Sequence, residues 1–351
     1  MSTSDGSRAL DNSKTLIKLS RRGYYLLNNR RYREAEKVFL EAYALDDTNA
    51  FVLVGLGDVC RKLREFDRAV QYYERILELD PKNVFALRGM GNAWRGLQNP
   101  EQAIVYWKRY LECNPDDCHV LVRLADSLRK LDRMEEARAI YLRALEHGGN
   151  DKYACLGLGN LHYKLGEDEQ AVIMLNRYLR HEQDNVVVLT MLGTIHHRHK
   201  EFAKAAECFE RALRLEPENV LAMSGLANSR RGENRIEEAV ALWKRVLEHE
   251  PENQNVLSRL GDAMHRLGDD ARSEEYYRRS LAIGFDPWST LGLAVLCHKR
   301  GDDEQAEAHC LRILEAMPDN VRAMRLLARI YEDQERWDEA DQMEERIQRV
   351  G

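Results

Sequence analysis

The sequence predicts an all-α protein: an α-solenoid of about ten stacked helix-turn-helix units. Three observations lead there. Alanine recurs every 34 residues, at Ala35, Ala69, Ala103, Ala137, Ala171, Ala205 and Ala239, and the series continues at Ser273, Ala306 and Ala340 with one residue lost near Gly284. Twelve positions before each of these anchors stands Gly or Ala: Gly23, Gly57, Gly91, Ala125, Gly159, Gly193, Ala227, Gly261, Ala294 and Ala328. Four positions after it, eight units carry a ring or large apolar group: Phe39, Tyr73, Trp107, Tyr141, Leu175, Phe209, Trp243 and Tyr277. One small residue on each of two antiparallel helices lets their backbones approach, and the ring fills the space beside them.

The clearest unit is residues 50–83, AFVLVGLGDVCRKLREFDRAVQYYERILELDPKN. Its first helix places Leu53, Leu56, Gly57 and Cys60 on one face. Its second places Phe66, Ala69, Tyr73, Ile76 and Leu77 on another, and Pro81 ends it. Units begin near residues 16, 50, 84, 118, 152, 186, 220, 254, 287 and 321. Residues 1–15 are small, polar and unpatterned and read as a flexible N-terminal leader. Nine tandem units follow over 16–320. The last, 321–351, has Glu344 in the ring position with Gln342 and Glu345 beside it, a polar end that reads as a cap.

Totals agree with this reading. The 351 residues are 44% hydrophobic and 32% charged with 7 prolines, as a water-exposed helical chain requires. A net charge of −6 gives no basic field to recruit nucleic acid. No apolar run is long enough to span a membrane, so neither insertion nor export is expected. Of the 7 cysteines, Cys60, Cys155, Cys297 and Cys310 fall where the repeat wants a small apolar side chain, which points to reduced thiols and a cytoplasmic location. Cys113 and Cys118 flank Pro115 with a spacing open to a disulfide or metal, but nothing else supports one.

Period, small residues, rings and the prolines at Pro81, Pro115, Pro217, Pro251 and Pro318 together resemble the tetratricopeptide repeat family over about residues 16–351. The resemblance implies a right-handed superhelical solenoid whose first helices line a concave groove. It also implies binding of a protein or peptide rather than catalysis. The carboxylate-clamp members of the family hold chaperone tails with a Lys/Asn/Asn/Lys/Arg set. Arg88 with Asn92 resembles a fragment of that set, but Val54 and Val122 stand where it needs a base, so chaperone-tail binding is unsupported.

A second period lies above the first. A shift of 136 residues aligns Arg95-Gly96 with Arg231-Gly232, and Trp107-Lys108-Arg109 with Trp243-Lys244-Arg245. It also aligns Arg123-Leu124 and Asp126 with Arg259-Leu260 and Asp262. The repeat motif demands none of these residues, so 50–185 and 186–320 read as a duplicated four-unit block.

The candidate site is the groove. The position after each small residue reads Asp58, Asn92, Asp126, Asn160, Thr194, Asn228 and Asp262, a ladder able to bond a ligand main chain or to bond within the solenoid. Three residues further stand Arg61, Arg95, Arg129, Tyr163, His197, Arg231, His265 and His298. Asp58 with Arg61, Asp126 with Arg129 and Asp262 with His265 are i,i+3 neighbours and expected to pair. That leaves Arg95 and Arg231, facing Asn92 and Asn228, as the residues expected to meet an acidic ligand group. Second glycines at Gly55, Gly89, Gly157, Gly225 and Gly292 either serve close helix packing or lower the groove floor; Arg123 and Arg259 replace them in two units. Each glycine forgoes about 0.8–1 kcal/mol of helix propensity, which calls for a reason. Phe51, Phe85, His119 and Tyr153 either wall the groove or cover the neighbouring helix.

Neighbouring His196, His197 and His199 diverge around a helix and do not make a metal site. No phosphate loop or nucleophile–base motif occurs, and repeats fill the chain, so neither catalysis nor a cofactor is expected. The function expected is a protein-interaction scaffold or adaptor whose groove binds an extended or helical acidic segment of a partner protein. The alternatives are a self-assembling homo-oligomer and a non-catalytic targeting subunit of an enzyme complex such as a glycosyltransferase.

Overall fold

The structure, a computed structural model, describes residues 3–148 and 152–350. The first two residues of the expected leader lie outside this range, and from Thr3 the chain is helical. Among the described residues there are twenty α-helices and no strand.

They fall into two compact units, divided between Gln183 and Asp184. In the first unit the helices are α1 (Thr3–Asn28), α2 (Tyr32–Tyr43), α3 (Ala50–Lys62), α4 (Phe66–Leu79), α5 (Val84–Gly96), α6 (Pro100–Cys113), α7 (Cys118–Lys130), α8 (Met134–Gly148), α9 (Lys152–Leu165) and α10 (Asp168–Leu179). In the second they are α11 (Val186–Arg198), α12 (Phe202–Leu215), α13 (Val220–Gly232), α14 (Ile236–His249), α15 (Gln254–Arg266), α16 (Asp270–Ile283), α17 (Pro287–Lys299), α18 (Asp303–Ala316), α19 (Val321–Asp333) and α20 (Trp337–Val350). Odd-numbered helices are the first of each pair and even-numbered the second.

Local chemistry sets the helix ends. Asn49, Asn83, Asp117, Asn185, Asn219, Asn253, Asp286 and Asn320 each cap a first helix, the side-chain oxygen accepting a free backbone N–H. Within a pair, one residue in the left-handed region turns the chain. After α3 that residue is Arg64 at φ 64°, and the Glu65 N–H then donates back to the Cys60 carbonyl at 2.8 Å. Outside the pairs, arginines of second helices clamp the preceding turn. Arg109, Arg143, Arg245 and Arg346 donate to the carbonyls of Pro81, Pro115, Pro217 and Pro318 at 2.6–3.1 Å.

Each ring at the repeat's aromatic position is almost wholly buried, with Phe39, Tyr73, Trp107 and Tyr141 in the first unit and Phe209, Trp243 and Tyr277 in the second. The rings explain the second glycines. A Cβ on Gly57 would lie 2.6 Å from the Tyr73 ring, and one on Gly89, in the next repeat, 2.4 Å from the same ring. Gly55 meets Phe39, Gly157 meets Tyr141, Gly225 meets Phe209 and Gly292 meets Tyr277 in the same way. The floor reading of these glycines is therefore corrected: they are the far wall of a slot that holds the previous repeat's ring, and their propensity loss is offset by burying it.

Within each unit the first helices lie side by side. Helices α1 and α3, α3 and α5, and α7 and α9 touch in the first unit, and α11 and α13, α15 and α17, and α17 and α19 in the second. The pairs α5 with α7 and α13 with α15 make at most glancing contact. Those two joints are where Trp replaces the smaller ring and Arg replaces glycine.

Candidate functional site: the faces of the first helices

Two kinds of joint recur along the first helices, beside those where Phe39, Leu175, Phe209 and Cys310 hold the ring position. In the first kind the ring is tyrosine, and its hydroxyl reaches the ladder residue. The Tyr73, Tyr141 and Tyr277 hydroxyls donate to Asp58, Asp126 and Asp262 at 2.9, 2.5 and 2.6 Å. Burial and the adjacent carboxylate push all three phenols well up, so they remain donors at any ordinary pH. Arg61 donates to Asp58 at 2.9 Å, and Arg129 stands 3.8 Å from Asp126. His265 does not pair with Asp262 as expected from spacing. Its Nδ1 lies 2.8 Å from Asp270 at the start of α16, because the last turn of α15 faces the next helix's first turn. His162, His196 and His298 make the corresponding contact with Glu167, Glu201 and Asp303 at 2.5–2.7 Å.

In the second kind the ring is tryptophan and the ladder residue is asparagine. Trp107 and Trp243 are fully buried, and neither indole N–H has a hydrogen-bond partner. Indole cannot reach Asn as the phenol reaches Asp; instead an arginine from the next first helix does. Arg123 on α7 donates to the side-chain Oδ1 of Asn92 at 2.9 Å, and Arg259 on α15 to Oδ1 of Asn228 at 2.8 Å. Residues 136 apart thus build the same contact once in each unit.

These arginines have an anion only at longer range, Asp117 beside Arg88 and Arg123 and Asp262 beside Arg259. Among the described residues, Arg88, Arg95 and Arg123 in the first unit form no ion pair, nor do Arg231 and Arg259 in the second. Burial first, then the charges of Arg95, Arg61 and Arg88, hold the Arg123 guanidinium below its usual value. Burial and Arg231 do the same to Arg259. His197 on α11 joins the second cluster, its imidazole held low by burial and by Arg231 and Arg259, and its ring edge against Phe202 at 5.4 Å. Arg230 on α13, by contrast, is ion-paired with Glu210, Glu233 and Glu238. A cluster of half-buried guanidiniums that outnumber the carboxylates near them is one that a further carboxylate or phosphate would relieve.

The remaining ladder residues turn inward. Asn160 donates to the Leu156 carbonyl at 2.9 Å and Thr194 to that of Thr190 at 2.8 Å. Spacing alone did not reveal the Arg123–Asn92 and Arg259–Asn228 contacts. The signal for them was present: Asp occurs with Tyr fifteen residues on, and Asn with Trp at that spacing is followed by Arg in the next repeat.

Models of the tetratricopeptide repeat match residues 20–84, 88–154, 122–185, 186–219, 224–287 and 299–347. No curated protein matches the chain at a significant level. Solved structures do. The one reported as a functional characterization of Pseudomonas aeruginosa pilF is 17% identical with a TM-score of 0.50, over 60% of this chain and 97% of that one. A tetratricopeptide repeat protein from Parabacteroides merdae is 16% identical with a TM-score of 0.49, over 70% of this chain and 97% of that one. At these identities the likeness concerns the fold alone. No helix among the described residues is long and apolar enough to cross a membrane. With repeat models covering most of its length, this chain belongs to the tetratricopeptide repeat family, whose solenoids are in general scaffolds for protein interaction.

Proposed function

We propose that the chain is a non-catalytic adaptor that holds an acidic segment of a partner protein against its first helices. Arg95 and Arg123 with Asn92 serve the first unit, and Arg231 and Arg259 with Asn228 the second. One observation carries this reading: both clusters are guanidinium groups, partly buried and mutually repelling, that form no ion pair, and Asp117 in the first and Asp262 in the second offset their charge only in part. Asp58 with Arg61, Asp126 with Arg129 and the tyrosine-bound Asp262 frame the clusters, and Asn160 continues the ladder. A net charge of −6 favours a protein over a nucleic acid as the source of the anion. The buried thiols of Cys60, Cys297 and Cys310 suit a reducing cytoplasm.

The test is affinity capture from native extract with wild type beside the Arg95→Glu, Arg231→Glu double variant. A partner held by wild type should bind the variant more weakly by about 2 kcal/mol or more, the order expected for lost charge-assisted bonds, at unchanged helix content. Equal retention by both proteins would discard the arginine site.

A further inference from the structure

One column of side chains takes no part in the arginine clusters. It is the second residue of each first helix from α3 onward, and Ile17 on α1 at the same register. In the first unit it reads Ile17, Phe51, Phe85, His119 and Tyr153, and in the second Val187, Leu221, Asn255, Trp288 and Arg322. Every one of them is exposed. Phe51 keeps 74%, Phe85 57% and Ile17 50% of their surface in water, so the column does not cover a neighbouring helix. Large apolar groups set in a row and left open contribute nothing to the solenoid and mark a contact surface.

Cations cover part of the row. The Lys152 ammonium lies 5.2 Å from the Tyr153 ring, and the Arg322 guanidinium stacks 4.8 Å from Trp288. Phe51 and Phe85 have no such cover among the described residues. With Ile17, Tyr24 and Val54 they wall a trough of about 830 Å³ across α1, α3 and α5. Its floor is fixed before any ligand arrives. The Tyr24 hydroxyl donates to the Phe51 carbonyl at 2.9 Å, and the Tyr24 ring packs edge-on against buried Phe39 at 5.1 Å. Arg21 and Arg88 stand on the rim. Arg88 also belongs to the guanidinium cluster around Arg123, so trough and cluster are continuous. The apolar row breaks at His119, Asn255 and Arg322, the first two in the repeats that carry Arg123 and Arg259.

We infer that the trough of the first unit is a docking site for a partner segment in which a large apolar side chain sits close to an acidic residue. The apolar side chain enters between Phe51 and Phe85, and the carboxylate meets Arg88 where the trough opens on the arginines. Only the acidic half rests on the adaptor reading above; the apolar half stands on the trough. Neighbouring first helices lie about 8–10 Å apart. An extended segment rising roughly 3.3 Å per residue therefore places the acid about three residues from the anchor.

A random peptide display library selected on the full chain tests this, with counter-selection on the Phe51→Ser, Phe85→Ser double variant. Both side chains are exposed, so helix content and melting should not change. Sequences kept by wild type and lost from the variant should share an aromatic or long aliphatic residue about three positions from Asp or Glu. A synthetic peptide of that pattern should lose about tenfold or more in affinity with the double variant and again with Arg88→Gln. The same peptide with Ser at the anchor should bind weakly, and equally to wild type and to the phenylalanine variant. Selection of no shared pattern, or equal binding to wild type and Phe51→Ser, Phe85→Ser, overturns the trough. If those peptides still respond to Arg95→Glu, Arg231→Glu, the adaptor reading survives its loss; if they do not, both fall. Concentration-dependent dimerisation of wild type that the phenylalanine variant abolishes would show a second copy in the trough and overturn the partner.

Discussion

At five of the seven ladder positions, Asp58, Asn92, Asp126, Asn228 and Asp262, the choice of ring decides what the residue does. A buried tyrosine brings a hydroxyl to the groove and needs an acceptor there, and Asp58, Asp126 and Asp262 supply it. A tryptophan in that place brings no such group; the ladder becomes Asn and a neighbouring arginine completes it. Positive charge therefore accumulates where the core is largest, and His197 reports on it. Burial, then Arg231 and Arg259, keep this imidazole neutral below its ordinary value, while a hydrogen bond to the Asn228 backbone works against them. As pH falls through about 6.5 the unfolded chain takes up a proton that the folded chain refuses, so folding stability drops with pH in that window. One proton limits the slope to about 1.4 kcal/mol per pH unit, and solvent at a half-exposed ring lowers it further. His309, held low by burial, Arg312 and Arg278 and raised by Asp302, acts in the same sense. The depressed carboxyls of Glu167, Glu201 and Asp270 lose their contribution only further down, in the carboxylate range. Urea titrations at pH 5.5 and 7.5 should therefore show a smaller acid loss for His197→Gln than for wild type. An identical loss would remove His197 from the cluster.

At the scale of the element, the turn inside each pair is the one place where the chain adopts a conformation that its residues resist. Seven such turns place a residue other than glycine at positive φ, among them Arg64 at 64° and Gln98 at 58°, while Gly166, Gly268 and Gly301 fill the same position at 75–80°. The left-handed region costs an L-residue about 1–2 kcal/mol. Glycine escapes that cost but gives up roughly 0.5–1 kcal/mol of unfolded-chain entropy. Arg64→Gly and Gln98→Gly should each raise stability by up to about 1 kcal/mol. A Cβ at Gly268 meets nothing within 4 Å, so Gly268→Ala tests the backbone alone and should cost about 1 kcal/mol. Denaturation midpoints check all three, and a stabilised Gly268→Ala would refute the argument. These turns were not legible in the sequence, since Arg, Gln, Asp, Lys, Asn, Glu and Gly all occupy one position. The helices were legible, because period and ring spacing are imposed by packing that repeats without change. The second glycines were half legible: a helical wheel gives the face they occupy, but not that the previous repeat's ring fills it.

For the whole molecule, the sequence supports the family, and the structure adds a division of the chain between Gln183 and Asp184. What could not be read from spacing was which arginines are already spent. Arg109 and Arg245 looked like part of a duplicated Trp-Lys-Arg signature, yet each clamps a proline carbonyl of the preceding turn. Arg95 and Arg231 were separable from Arg61 and Arg129 only because an acid three residues earlier was missing. The division itself carries a prediction about folding. In a repeat array each unit draws its stability from its nearest neighbours. Each side of the division holds core of its own: the cluster from Leu87 to Leu161 lies before it, and those from Met223 to Met264 and from Ala294 to Met343 lie after it. Fragments 1–183 and 184–351 expressed separately should therefore both be helical and unfold cooperatively in urea. Because m follows the surface exposed on unfolding, each should show about half the m expected if the full chain unfolded as one unit. If the full chain unfolds in two steps with the fragments' own slopes, the two units fold independently, and a binding defect in one can be measured without unfolding the other. If either fragment lacks helix in isolation, that half takes its stability from the rest of the chain, and the Arg95→Glu and Arg231→Glu changes must be compared within the intact protein.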